Sequence, residues 1–230
     1  MWKKHIRGAF FTQSVFLITD RKNHIYNRRN VVKWRKRKSA ENGETADLEK
    51  EETNMYFGVQ MYGVSKEWKQ DPEGFLKKIY EAGYRQIEPC LGFRVDARDY
   101  GFWIPEDLEQ AMPLLAKYHI EVHAVHIFLD EYHYERELAI LTELAQKYHI
   151  SWFVVKSPAR LTKDVLDETA ARYRELAEEL EKAGAGLLIH NEKEDICIRV
   201  NGKTAYEYLL EACGEKVGAE VDAGWMYCGG

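Results

Sequence analysis

The sequence lacks three features that would place it in a well-known class of protein. None of its 230 residues belongs to an apolar run of about 18 residues, so no membrane-spanning helix is expected. Its four cysteines are scattered and form no CxxC pair, which indicates reduced thiols in a cytoplasmic protein. No GxGxxG or P-loop motif follows the first predicted strand, and this disfavours an open sheet that binds nucleotides.

The composition is that of a folded chain. Apolar residues make up 45% of the sequence and aromatic residues 13%, which is too much for a disordered protein. A chain of this length can build one sizeable hydrophobic core or at most two small ones.

Charge divides the chain in two. Residues 1–54 carry 13 Lys or Arg and 7 Asp or Glu, whereas residues 55–230 carry 20 and 31. Such a blocky first segment buries little, so we predict a disordered or irregular extension over 1–54 and a folded domain over 55–230. The extension could also be an arm for nucleic acid or anionic lipid, or it could precede a translation start at Met55.

From Met55 onward the chain alternates predicted strands with predicted helices. The strands are predicted at Tyr56–Met61, Gln86–Pro89, Glu121–Phe128, Trp152–Val155, Gly186–His190 and Val217–Val221. The helices are predicted at Asp71–Ala82, Pro105–Tyr118, Tyr134–Tyr148, Lys163–Ala183 and Lys203–Ala212. This order predicts an α/β fold with a parallel sheet, and we expect a (β/α)₈ TIM-barrel type with only about six βα units.

Titratable residues follow the carboxyl ends of five consecutive predicted strands. They are Glu88, His126, Lys156, the run His190-Asn191-Glu192, and the pair Glu220 and Asp222. The carboxyl ends of parallel strands carry the chemistry of α/β folds, and carboxylates that converge there would repel one another. A bound divalent cation would offset that repulsion.

His190 and Asp222 are the candidate metal ligands, because neighbouring strands can turn their side chains into one cavity. An imidazole with a carboxylate suits Mn²⁺, Zn²⁺ or Fe²⁺ better than Ca²⁺. Glu220 lies two residues before Asp222 and therefore points the same way one layer lower, as a supporting or core carboxylate.

Two strand motifs resemble those of the sugar phosphate isomerase/epimerase family, the xylose isomerase-like TIM barrels. Leu188-Ile189-His190-Asn191 is similar to its YHNH strand, and Val217–Trp225 is similar to its VGxExDxxW strand. The opening segments around Gly58–Tyr62 and Gly74–Glu88 are also similar, so the resemblance spans about 55–230.

The resemblance implies a divalent-metal site at the barrel mouth, with His190 and Asp222 in the ligand positions of strands five and six. Mn²⁺ is expected first, with Zn²⁺, Mg²⁺ or Fe²⁺ as alternatives. Glu88, His126 and Asn191 take positions expected to contact substrate. Residues 55–230 number 176 against about 250 for a complete barrel, so we expect strands seven and eight to be missing and two strand edges to be bare.

The expected function is isomerisation or epimerisation of a small sugar, sugar phosphate or polyol by proton abstraction next to a carbonyl. Glu192, which replaces the second His of the family motif, is the candidate base, and Lys156 is the candidate group for the enediolate oxygen.

Three other functions stay open. One is a keto-polyol dehydratase, and another is an inactive fragment or binding module that needs a partner or a second copy of the chain. A third, a DNA-repair endonuclease of the same superfamily, is disfavoured by the acidic barrel, and no nucleic-acid or membrane partner is expected.

Overall fold

The structure, a computed structural model, describes residues 17–19, 58–129 and 133–230. The extension predicted over 1–54 therefore lies outside the described residues, except for the short strand β1 (Leu17–Thr19). None of the helices in these three ranges combines the length and apolar character that a bilayer-spanning helix needs.

The remaining strands form a parallel arc and one small hairpin. They are β2 (Gly58–Gln60), β3 (Gln86–Glu88), β4 (Cys90–Gly92), β5 (Glu121–Val122), β6 (Ala124–Phe128), β7 (Trp152–Lys156), β8 (Gly186–His190), β9 (Arg199–Val200), β10 (Lys203–Thr204) and β11 (Val217–Val221). Strands β9 and β10 make the hairpin, and all the others except β1 run parallel to their neighbours.

Helices follow the strands along the chain. They are α1 (Ser65–Gln70), α2 (Pro72–Glu81), α3 (Pro105–Lys117), α4 (Tyr134–Tyr148), α5 (Lys163–Lys182), α6 (Lys193–Cys197), α7 (Ala205–Cys213) and α8 (Ala223–Gly229). Helix α2 shows the local rules well: the Asp71 carboxylate accepts a hydrogen bond from the Gly74 amide at 2.9 Å, and Pro72 occupies the first turn.

The arc has six strand positions. At two of them the strand is interrupted, and its two parts belong to different sheets. Pro89 separates β3 from β4, and His123 separates β5 from β6. The order around the arc is β2, β3/β4, β5/β6, β7, β8 and β11. Because β11 does not pair with β2 in the described part of the chain, the sheet is not closed.

The predicted bare edge at β11 is wrong. Strand β1 pairs with it in the antiparallel direction, with Leu17 opposite Val221 and Thr19 opposite Ala219. An unpaired strand edge presents free N–H and C=O groups, and this pairing satisfies them along part of β11.

The core lies between the strands and their covering helices. Its fully buried side chains include Leu76 of α2, Leu91 of β4, Phe153 of β7 and Leu187 of β8. Burial of one such side chain contributes about 1.5–3 kcal/mol to folding, so this layer fixes the strands whose ends carry the polar residues.

The predicted α/β architecture is confirmed, and the five predicted helices begin and end within two residues of α2, α3, α4, α5 and α7. The prediction missed β4, α1, α6, α8 and the hairpin, which are all short.

Candidate functional site

The carboxyl ends of β8 and β11 bring an imidazole and a carboxylate together. His190 ends β8 and Asp222 directly follows β11, and the parallel register sets His190 opposite Glu220. The Nε2 atom of His190 lies 3.5 Å from Oδ2 of Asp222. Both side chains keep a small exposed fraction, 13% and 16%, so the pair is partly accessible to solvent.

Asp222 is held in place by the backbone and by Asn191. Its Oδ1 accepts a hydrogen bond from the Trp225 amide at 2.9 Å, which caps α8. The Asn191 side chain accepts from the Asp222 amide at 2.8 Å and donates to the Asp222 carbonyl at 3.2 Å. Asn191 is fully buried, so these bonds indicate that it positions Asp222, and its predicted contact with substrate stays a prediction.

Lys156 and Glu192, the predicted catalytic residues, lie on the same rim. Lys156 ends β7 and is in register with His190, while Glu192 begins the turn into α6. The Lys156 Nζ lies 3.8 Å from Oε1 of Glu192. Each side chain is nearly half exposed, so both can reach a molecule bound above the strand ends.

A second group of titratable side chains lies deeper, inside the arc. Glu88 from β3, His126 from β6 and Glu220 from β11 are 3%, 6% and 1% exposed. Each offers one ligand atom, and these atoms all lie within 4.8 Å of one another. With so little exposed surface, the predicted substrate contacts of Glu88 and His126 stay predictions.

Burial dominates the electrostatics of this interior group. It raises the pKa of Glu88, against a smaller lowering from a hydrogen bond with Glu220, and it raises the pKa of Glu220, which the negative charge of Glu88 raises further. Burial also lowers the pKa of His126 to about 4, with a smaller lowering from the positive charge of Lys156. His126 is therefore neutral at pH 7, and an imidazole in that form can donate a lone pair to a cation.

His126 links the interior group to the rim and to an aromatic row. Its ring lies 5.3 Å from that of His190, centroid to centroid, and 5.2 Å from the stacked ring of Phe128. Phe128 in turn stacks on Phe102 at 4.3 Å. The two phenylalanines line a cavity of about 480 Å³ beside the rim, together with Gly92 and other residues of that wall. The sequence analysis missed this wall, because Phe102 lies in a loop without a periodic pattern.

His190 and Asp222 suit a divalent cation. Two ligands of one tetrahedral metal ion, each about 2.1 Å from it, are about 3.4 Å apart, which matches the 3.5 Å separation found here. The Nδ1 atom of His190 is buried and has no hydrogen-bond partner among the described residues. Burial and the neighbouring His126 lower the pKa of His190, against an opposing effect of Asp222, which favours the neutral ligand form.

Comparison with known proteins was decisive only at the level of three-dimensional structure. No protein-family model matches the sequence, and no curated protein matches it. A solved sugar phosphate isomerase/epimerase from Parabacteroides distasonis ATCC 8503 superposes with a TM-score of 0.62 at 20% identity, over 80% of this chain and 70% of that one. A solved L-ribulose 3-epimerase superposes with a TM-score of 0.51 at 17% identity, over 74% of this chain and 61% of that one.

The fold is that of an open TIM barrel. The fold expectation from the sequence is thereby confirmed, and the Parabacteroides distasonis structure has the name of the family that the two strand motifs resemble. Identities of 17% and 20% show the fold alone, and a shared fold does not by itself define an activity. In this open TIM barrel the polar residues lie at the carboxyl ends of the strands, where enzymes of the fold carry their active sites.

Proposed function

We propose that this chain belongs to a divalent-metal-dependent isomerase or epimerase that acts on a small sugar, sugar phosphate or polyol. The observation that supports it most is the His190–Asp222 pair, 3.5 Å apart on adjacent strand ends, with the Lys156–Glu192 ion pair on the same rim. A metal site beside a partly exposed carboxylate and ammonium is the combination that proton abstraction next to a carbonyl needs.

The cation, when bound, supplies a positive charge that polarises a substrate carbonyl and its neighbouring hydroxyl. His190 and Asp222 would hold it, and Asn191 would keep Asp222 at the correct depth through its two bonds to the backbone. We propose Mn²⁺ as the metal, with Zn²⁺, Mg²⁺ or Fe²⁺ as alternatives, because the donor set mixes one nitrogen and one oxygen.

Glu192 would remove the proton from the carbon next to the carbonyl. Its carboxylate is accessible to a molecule bound above the strand ends and lies 3.8 Å from the Lys156 ammonium. Return of the proton by the same carboxylate to the adjacent carbon gives isomerisation. Return to the opposite face gives epimerisation and requires a second acid across the site. Lys156 would donate a hydrogen bond to the substrate oxygen on which negative charge develops.

The second candidate is a binding module of the same fold that does not turn substrate over. His190 and Asp222 are only two protein ligands, whereas catalytic zinc sites usually have three. Two ligands hold a cation weakly, and this observation favours binding without catalysis.

Exchange of substrate protons with solvent separates the candidates. The purified chain with added Mn²⁺ is incubated in D₂O with a panel of ketoses, ketose phosphates and keto-polyols, and deuterium at the carbon next to the carbonyl is followed by NMR. Isomerases, epimerases and dehydratases that act by proton abstraction, as proposed here, exchange this proton, and the product then distinguishes them. A chain that binds Mn²⁺ but exchanges no substrate proton would be the binding module.

Variants test the assigned roles. Glu192→Gln should lower the exchange rate by about 10²–10⁴-fold, the usual contribution of a general base. Glu194→Gln is the matched control, because this exposed carboxylate lies two residues away on α6. If Glu192→Gln exchanges protons as fast as the control, the base is another residue.

A further inference from the structure

Two neighbouring strand positions and one strand from the other end of the arc place unpartnered polar atoms at one interior point. The Nδ1 atom of His126 lies 3.7 Å from Oε1 of Glu88, and a carboxylate oxygen of Glu220 lies within 4.8 Å of both ligand atoms. These residues come from β6, β3 and β11, so the cluster spans most of the arc.

Most polar atoms of this cluster have no hydrogen-bond partner among the described residues. Buried atoms without a partner include Oε1 of Glu88, both ring nitrogens of His126 and both carboxylate oxygens of Glu220. Buried polar groups are paired in nearly all folded proteins, and an unpaired buried carboxylate costs several kcal/mol. A partner is therefore needed at this point.

The charge identifies the kind of partner. The cluster brings two carboxyl groups and one neutral imidazole together, and the described residues place no Lys or Arg in an ion pair with either glutamate. A divalent cation would balance two carboxylates, and the imidazole would contribute a third ligand atom. The ordinary alternative is a proton shared between the two carboxyl groups, which would leave both nitrogens of His126 unpaired.

We propose that Glu88, His126 and Glu220 form an interior cation site, separate from the His190–Asp222 pair at the rim. Two carboxylates and one imidazole are ligands that Zn²⁺ and Mn²⁺ accept, whereas Ca²⁺ needs six to eight oxygens. Ligand atoms up to 4.8 Å apart would have to close to about 3.4 Å around zinc, a movement that side-chain rotation supplies.

The site would stabilise the open barrel. Strands β3 and β11 lie at different positions of an arc that β-pairing does not close, and a shared cation would tie them to β6. This cation has a structural role, so the inference does not depend on the proposed enzymatic function.

Metal content measures the site directly. The full chain is treated with a chelator, loaded with Zn²⁺ or with Mn²⁺ alone, desalted and analysed for bound metal by mass spectrometry. A rim variant that combines His190→Ala with Asp222→Asn should keep one tightly bound ion per chain. Glu88→Gln and Glu220→Gln, alone or combined, should each have one ion fewer than the wild type. Glu137→Gln, which removes another buried carboxylate, is the matched control and should bind like the wild type.

Thermal unfolding gives a second readout that does not require activity. At a Zn²⁺ concentration about 100-fold above its Kd, the cation should raise the Tm of the wild type and of the rim variant by about 5–10 °C. The Glu88→Gln and Glu220→Gln variants should lose this shift, and circular dichroism confirms that they are folded.

Two results would overturn the proposal. The first is a rim variant that binds no metal, which would leave only the rim site. The second is a Glu88→Gln/Glu220→Gln variant that is folded and keeps the metal content and Tm shift of the wild type, which would assign a shared proton to the pair. Neither result bears on substrate-proton exchange at the rim, so failure of this proposal is distinguishable from failure of the proposed function.

Discussion

Replacement of Asn191 by alanine tests whether the rim site depends on how Asp222 is held. The Asn191 side chain makes two hydrogen bonds to the backbone of Asp222, at 2.8 and 3.2 Å, from a fully buried position. Each such bond contributes about 0.5–1.5 kcal/mol, so Asn191→Ala should lower the free energy of unfolding by about 2 kcal/mol. Urea denaturation of the metal-free chain measures this loss.

The same substitution should weaken metal binding. Without the two bonds, the turn that carries Asp222 is free to move relative to His190, and loss of a group that orients a metal ligand typically costs 10–100-fold in affinity. The relevant affinity is that of the Mn²⁺ site that Asp222→Asn removes, measured by titration calorimetry.

Tyr206→Phe is a matched control for stability. The Tyr206 hydroxyl is buried and donates to the carbonyls of Ile189 and Glu220, at 2.8 and 3.1 Å, so it also joins β8 to β11. Its loss should cost about 1 kcal/mol but should leave Asp222 in place and the Mn²⁺ affinity within about twofold of the wild type. Equal affinities of Asn191→Ala and the wild type, or an equal loss in Tyr206→Phe, would refute the positioning argument.

Two further predictions concern buried titratable groups. Cys197 and Cys228 are exposed and should react with a thiol reagent at pH 8 in the folded chain. Cys90 and Cys213 are buried with raised pKa values and should react only after denaturation. Four fast-reacting thiols in the native protein would contradict this prediction. Burial raises the pKa of Glu88 from its ordinary 4.5 to about 8, so between these pH values the folded metal-free chain binds more protons than the unfolded chain, and its stability should fall as pH rises through this window. Glu88→Gln should flatten this dependence in urea denaturation at several pH values, and an unchanged slope would show that the proton resides elsewhere.

The order of strands and helices was predictable because each long element carries its own signal. Helix α2 has Asp71 as its cap and Pro72 in its first turn, and its apolar spacing places Phe75, Leu76 and Ile79 on one buried face. The buried strand β8 reads as a continuous apolar run, as expected when both faces of a strand are covered. These signals are local, so the sequence alone contains them.

The short elements could not be predicted, because they carry no comparable local signal. Strand β4 follows Pro89, which was read as the end of a strand, yet the arc continues past it because another sheet receives Cys90–Gly92. Helix α6 has five residues, too few for a periodic pattern. The pairing of β1 with β11 joins segments about 200 residues apart, and no local signal in either strand specifies it.

The polar residues also divide into a pair that the sequence could place and a cluster that it could not. Parallel strands end at one edge, so the sequence could place His190 and Asp222 on one rim, and the structure finds their side chains 3.5 Å apart. The meeting of Glu88, His126 and Glu220 depends instead on how strongly the arc curves, because strong curvature brings the inner faces of non-adjacent strands together.

The two-residue spacing of Glu220 and Asp222 is what connects the two groups of polar residues. In a strand this spacing turns both side chains to the same face, about 6–7 Å apart along the chain, so Glu220 lies in the interior and Asp222 lies one layer higher, at the rim. His126 shows the same continuity from the other side, since its ring contacts both Glu88 and the ring of His190. A substitution in either group therefore changes the charge that the other experiences, and double-mutant cycles between Glu220 and Asp222 should give a coupling energy different from zero.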